Sequence, residues 1–243
     1  MFLARIYLAF SIFVPTTLAG QNPTDIIQKY FEIVSNGNVS NWDTIKSVYI
    51  EGTTFYQDVK SQPNFLNPPK PSYQKLYREW PDKLRIELYD DSTFTNIKSV
   101  NLWLPGKFIQ EFRSMQPITK PWKDNPWDFN PVYISKLLKK SKSIQFNGIK
   151  KFEADNISCF DIEVQTNDLT IDLYFNTSSY LLDYWKVFNS SDPSNYAKFY
   201  DYRSIGGFLF DMATFGTHNG IMFFSYKINT ILINPAIDKE KFK

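Results

Sequence analysis

The sequence predicts a mainly β chain with flanking helices, built on one antiparallel sheet of about eleven or twelve strands. Three observations lead there. Aromatic residues are abundant, with 22 Phe, 15 Tyr and 6 Trp among 243 residues, and aromatic side chains favour strands. Segments that alternate apolar and polar residues follow one another almost without a break from residue 47 onward. Most connections between them are short and carry Asn, Asp, Gly or Ser, as expected for antiparallel neighbours. An antiparallel sheet this long should curl.

Ahead of the strands, residues 1–19 read as an export signal. Arg5 supplies the positive charge, residues 6–14 are apolar except for Ser11, and Thr17 and Ala19 have the small-residue spacing of a cleavage site. The apolar run is shorter than the roughly 20 residues a membrane span needs. No cysteine follows it, so no N-terminal lipid anchor is encoded. The expectation is a cleaved signal, a periplasmic location, no integral span after cleavage, and one domain over residues 20–243. That domain should open with a helix. Asn22 caps it, Pro23 suits the first helical position, and Asp25 complements the N-terminal dipole. Ile26, Ile27, Tyr30, Phe31 and Val34 make one apolar stripe, and Asn36-Gly37 can end the helix. The stripe needs a surface to cover, which a curved sheet provides.

Residues 47–59 alternate as a strand, with Gly52 marking a bulge or strong bend. Residues 61–72 carry four prolines and form a loop. Pro81-Asp82 turns one hairpin, between residues 73–80 and 83–89. Pro105-Gly106 turns another, between 99–104 and 107–112. Over residues 114–142, Pro117, Pro121, Pro126 and Pro131 exclude a regular strand. Asn130-Pro131 starts a short amphipathic helix there, with Lys136, Lys139, Lys140 and Lys142 crowding its C-terminal end. Strands resume over 144–153, 157–165, 169–175, 181–188, 196–203, 208–215 and 221–233.

The composition argues against most chemistry. A formal charge of +2 gives no electrostatic case for nucleic acid. Cys159 stands alone in an alternating run and reads as an inert strand thiol; His218 stands alone in a turn. A histidine triad or multi-histidine metal site is therefore excluded. No glycine-rich phosphate loop, Cys-x-x-Cys pair or nucleophile elbow occurs. No enzyme, cofactor or metal is expected, although a glycosidase needs only two carboxylates and the chain has 25 acidic residues.

Several segments, in order, resemble LolA/LolB-like lipoprotein carriers of the Bacteroidetes type. Residues 25–30 with 42–48 are similar to the family's first helix and the approach to its first strand. Residues 77–85 resemble its second hairpin, and residues 149–164, around Cys159-Phe160-Asp161-Ile162, a later strand pair. Tyr200-Asp201-Tyr202-Arg203 with Gly206-Gly207, and Ile233-Asn234-Pro235 with Ile237-Asp238, are similar to the closing hairpin and the C-terminal ending. The resemblance covers nearly all of residues 20–243. It departs from the family at Trp80, where an arginine that latches the lid is found in LolA, at Asp211, where many relatives have proline, and in the missing LolB anchor cysteine.

The resemblance implies a half-open, strongly curved sheet with a helical lid and an apolar concave side that receives acyl chains of lipoproteins or lipids. Alternation then nominates Ile50, Tyr56, Leu84, Ile86 and Leu102 as lining, together with Phe108, Phe112, Ile162, Leu173 and Phe175. Ile27, Phe31, Arg78, Trp80, Trp122 and Trp127 are candidates for the lid and its latch; Arg78 shares a strand face with residue 80. The implied function is a monomeric periplasmic carrier of lipids or lipoproteins. The alternative is an envelope sensor or scaffold that uses the same fold to hold a protein partner.

Overall fold

The computed structural model describes residues 22–35, 37, 39–56, 71–121, 130–167, 169–187, 196–218 and 221–243. In order these form α1 (Pro23–Val34), a 3₁₀ turn (Val39–Thr44), β1 (Ser47–Tyr56), β2 (Ser72–Glu79), β3 (Lys83–Tyr89), β4 (Ile97–Leu104), β5 (Lys107–Phe112) and β6 (Met115–Pro121). Then come α2 (Asn130–Lys139), β7 (Ser143–Phe152), β8 (Ile157–Gln165), β9 (Thr170–Asn176), β10 (Leu182–Val187), β11 (Ala197–Ile205), β12 (Phe208–His218), β13 (Ile221–Ile233) and a last 3₁₀ turn (Lys239–Phe242). The expected signal segment lies outside the described residues.

All thirteen strands form one antiparallel sheet in the order β6-β5-β4-β3-β2-β1-β13-β12-β11-β10-β9-β8-β7. The chain meanders from the centre out to β6, resumes at the opposite edge with β7, and meanders back until β13 pairs with β1. The sheet is not closed, and β6 and β7 are its edges.

Local sequence accounts for the elements. Asn22 Oδ1 accepts from the Thr24 amide at 3.0 Å and caps α1. Gly37, with φ 95°, lets its amide return to the Glu32 carbonyl at 2.8 Å. At Gly52 the pairing of β1 with β13 shifts by one residue, the expected bulge. A Cβ on Gly52 would run into the Tyr226 ring and stand 2.9 Å from the Lys227 carbonyl, so this crossing also requires a residue without a side chain.

The prolines of residues 114–121 do not prevent a strand, contrary to the expectation above, and β6 raises the count to thirteen. The physical reason is its place at the edge. Lys107 pairs back to Leu104 across the two-residue Pro105-Gly106 turn, so Phe108 and Gln110 are the residues whose backbone groups face β6. Their partners are Lys120 and Ile118, which leaves Pro117 and Pro121 with their missing N–H on the open side. No ladder bond is lost there, and the edge offers fewer donors to another strand.

Two apolar clusters fill the concave side, and α2 bridges them. Ile134 and Leu137 pack in the cluster with α1 and β8–β10, whereas Val132 packs on the cluster formed by the first 3₁₀ turn, β1–β3, β12 and β13. On the convex side, Cys159, Tyr174 and Tyr184 gather with Phe152, Ile157 and Tyr196. Glu87 is fully buried on the other stretch of that side. It accepts from Tyr89 Oη at 2.5 Å, Arg85 Nε at 2.7 Å and Lys241 Nζ at 2.9 Å, which pins the final turn to β3. Burial alone would raise its pKa, but the donors Tyr89, Lys241 and Arg85 hold it below the ordinary carboxylate value.

Candidate functional site

Directly paired residues on neighbouring strands share a face of the sheet. Reading across β5, β4, β3, β2 and β1, one row is therefore Phe108, Trp103, Leu84, Arg78 and Val48. The next is Gln110, Asn101, Ile86, Leu76 and Ile50, and the third is Phe112, Ser99, Leu88, Gln74 and Gly52. Val48, Ile50, Leu76 and Leu84 belong to the concave cluster and are buried. Toward β5 burial thins out: Ile86, Leu88, Trp103, Phe108 and Phe112 are only half-buried. Trp103 and Phe108 lie ring to ring, with centroids 4.8 Å apart. These side chains form an apolar wall on the concave face.

The other half of that face is filled. Ile162, Leu173 and Phe175 are completely buried, together with Val164, Ile171 and Leu182. The α1 stripe lies on them. Ile27 and Phe31 join their cluster, and the Tyr30 ring sits 5.1 Å from that of Phe175. The expectation that Ile162, Leu173 and Phe175 line a cavity is thus corrected. Five large apolar side chains on α1 occupy the space in front of these strands, so Ile27 and Phe31 plug this half of the sheet.

Leu102 is corrected as well. It pairs with Arg85 and Ile109, which puts it on the convex face beside Glu87 and the pinned C-terminal turn. Tyr56 ends β1 opposite Phe224, but its side chain lies outside the described residues, as do Trp122 and Trp127. Arg78 and Trp80 meet each other. The buried Arg78 guanidinium lies 4.9 Å from the Trp80 ring centre, and its Nη2 donates to the Pro81 carbonyl at 3.3 Å.

The polar groups on the concave face are mostly uncharged. Arg78 and Asp211 are the exceptions, and Asp211 is the one whose charge burial opposes. Burial pushes its carboxyl up to about 7, and its hydrogen bond to a neighbouring side chain comes from Thr214 Oγ1 at 3.3 Å. Tyr30 on α1 and Tyr202 on β11 are raised well above the ordinary tyrosine value, by burial first and with a contribution from Asp211. On the wall itself, Asn101 Oδ1 and Trp103 Nε1 are shielded from water and have no hydrogen-bond partner among the described residues. Each such group costs about 1–3 kcal/mol. On the convex side, burial pushes the Cys159 thiol up to about 12, which makes it a poor nucleophile. Among the described residues no three His, Cys, Asp or Glu side chains gather as metal ligands.

Sequence reasoning passed over Trp103 and Asn101. In Val100-Asn101-Leu102-Trp103-Leu104 the stronger alternation selects Val100, Leu102 and Leu104, which is the wrong face. The usable signal was the two-residue Pro105-Gly106 turn, which places Trp103 opposite the inward Phe108.

No protein-family description matches the sequence, and no curated protein sequence is significantly similar to it. Solved structures are similar in fold. A DUF1329 family protein from Desulfovibrio piger matches with a TM-score of 0.61 and 11% identity, over 91% of this chain and 95% of that one. The LolA superfamily protein NE2245 from Nitrosomonas europaea matches with a TM-score of 0.57 and 9% identity, over 92% of this chain and 98% of that one. The fold is LolA-like: mostly β, with one open thirteen-stranded antiparallel sheet and two helices.

Proposed function

We propose that this chain is a non-catalytic carrier that shelters acyl chains of lipids or lipoproteins, working after export in the periplasm and serving lipoprotein transport to the outer membrane. The observation that carries the proposal is the half-buried wall of Ile86, Leu88, Trp103, Phe108 and Phe112, set on the concave face of a LolA-like sheet. Water-facing apolar area on that side is costly, and an acyl chain laid against it contributes about 0.8 kcal/mol per buried CH₂. Loading and release then need no covalent step, only competition with a second apolar surface. The inert thiol of Cys159 fits a protein without nucleophilic chemistry. The proline-blunted edge of β6 fits a chain that works as a monomer.

Lipid extraction and mass spectrometry of the purified protein, with titration of a fluorescent fatty acid, test the proposal. Expected are co-purified acyl lipids and probe binding in the micromolar range or tighter, on the order of −8 kcal/mol. A protein that carries no lipid and binds no probe would be better described as an envelope scaffold for a protein partner.

A further inference from the structure

The apolar wall does not end at β5. Met115 of β6 pairs with Phe112, and Ile118 pairs with Gln110, so both stand on the concave face beside the wall. Exposure rises toward the edge of the sheet. Leu84 on β3 is fully buried and Phe108 on β5 half-buried, while Ile118 is 41% and Met115 65% exposed. All seven residues of β6 are exposed, on both faces of the strand. Positive charge gathers on the same hairpin. Residues 107–121 hold Lys107, Arg113 and Lys120 against Glu111 alone, a net charge of +2, which is the formal charge of the whole sequence. The rest of the chain therefore sums to zero. Lys107 pairs with Pro121 and Phe108 with Lys120, so the two exposed lysines stand together at one end of the hairpin. At the other end Arg113 Nη2 donates to Asn96 at 3.5 Å, in the loop of Asp91, which leaves the two lysines as the stronger cationic end.

We propose that the β5–β6 hairpin docks this chain on an anionic lipid surface, with Met115 and Ile118 entering the interface and Lys107 and Lys120 meeting lipid phosphates. Exposed apolar side chains beside cations suit an interfacial contact, in which buried apolar area and attraction to anionic lipid act together. A protein strand is the other occupant that a sheet edge invites, but Pro117 and Pro121 remove donors from the open side of β6. A bilayer asks for side chains and no backbone ladder, which is what this edge retains. The hairpin is also where the wall reaches the outside, so an acyl chain leaving the bilayer would pass from Met115 to its paired neighbour Phe112 along one face. Docking does not depend on acyl binding and goes beyond the carrier function.

Flotation of the full chain with vesicles tests it. Two kinds are compared, phosphatidylcholine alone and phosphatidylcholine with about 30% phosphatidylglycerol. The chain should bind the anionic vesicles about tenfold more tightly, a difference of about 1.4 kcal/mol. Raising NaCl from about 0.1 M to about 1 M should remove most of that preference. Lys107→Gln with Lys120→Gln should remove it too, and Met115→Ser with Ile118→Ser should weaken binding to the anionic vesicles. All four residues are exposed, and thermal melts check that the variants fold. Lys139→Gln with Lys140→Gln takes the same charge from the exposed end of α2 and should leave binding as it is. Equal binding to the two kinds of vesicle, no binding to either, undiminished binding by the Met115 and Ile118 variant, or an equal loss from the α2 variant overturns the docking site. None of these readings uses an acyl probe, so docking and acyl carriage fail separately.

Discussion

The two halves of the concave face are made by the same alternation and end in opposite states. In β8–β10, Ile162, Leu173 and Phe175 point inward and vanish under α1 and α2. In β3–β5, Ile86, Trp103 and Phe108 point inward and stay half-buried. Apolar spacing marks a face, but the partner that arrives on it decides whether the face becomes core or wall. The α1 stripe reaches only one half of a thirteen-stranded sheet, and the five side chains that fill that half leave the wall of the other available.

Alanine scanning should expose the difference most strongly. Phe175→Ala removes a completely buried ring packed on Tyr30 and should cost about 3–5 kcal/mol in urea unfolding. Phe108→Ala, on the half-buried wall, should cost about 1–2 kcal/mol. Equal losses would remove the distinction between the two halves.

A pH series sharpens the comparison, because Asp211 interacts with Tyr30 of the plug helix, with Tyr202 and with Tyr226. Burial raises its carboxyl from 3.8 to about 7. Between those values the folded protein holds a proton that the unfolded chain has released, so stability falls as pH rises through that window. The full effect is at most about 4 kcal/mol, at about 1.36 kcal/mol per pH unit. Asp211→Asn should therefore be more stable than the parent at pH 8, with the two converging near pH 4. A constant difference across that range would show an ordinary carboxyl.

At the seam where β1 meets β13, Gly52→Ala should cost about 1–3 kcal/mol. The new methyl would press on the Tyr226 ring and on the Lys227 carbonyl, 2.9 Å away. A neutral result would mean that the ring swings aside without loss. The gentlest change is Phe108→Leu with Phe112→Leu, which keeps the wall apolar and should cost less than about 1.5 kcal/mol. Its expected signature is an altered preference for acyl chain length in probe competition, with the melting temperature nearly unchanged. An unaltered preference would place the chain elsewhere on the sheet.

Much of this was legible in advance. The cap at Asn22, the stripe on α1, the bulge at Gly52 and both proline-marked hairpins depend on residues close in sequence, and each appears as expected. Two misreadings share a cause. Pro117 argues against a strand only if its backbone nitrogen faces a neighbour, and only the sheet order puts it on an open edge. Leu102 and Trp103 are both apolar, and only pairing through β3 and β5 shows which of them faces inward.

The sequence by itself determined the kind of protein: a β-rich chain opening on an amphipathic helix, with a lone cysteine and a lone histidine. These follow from local propensity and composition, which need no partner to be expressed. The tertiary structure decided which inward residues are core and which are wall, that α1 is a plug, and that Asn101 Oδ1 and Trp103 Nε1, on the concave side of β4, have no hydrogen-bond partner among the described residues. Those facts depend on contacts between segments far apart in the chain, and burial and hydrogen-bond matching are properties of such contacts rather than of any residue alone.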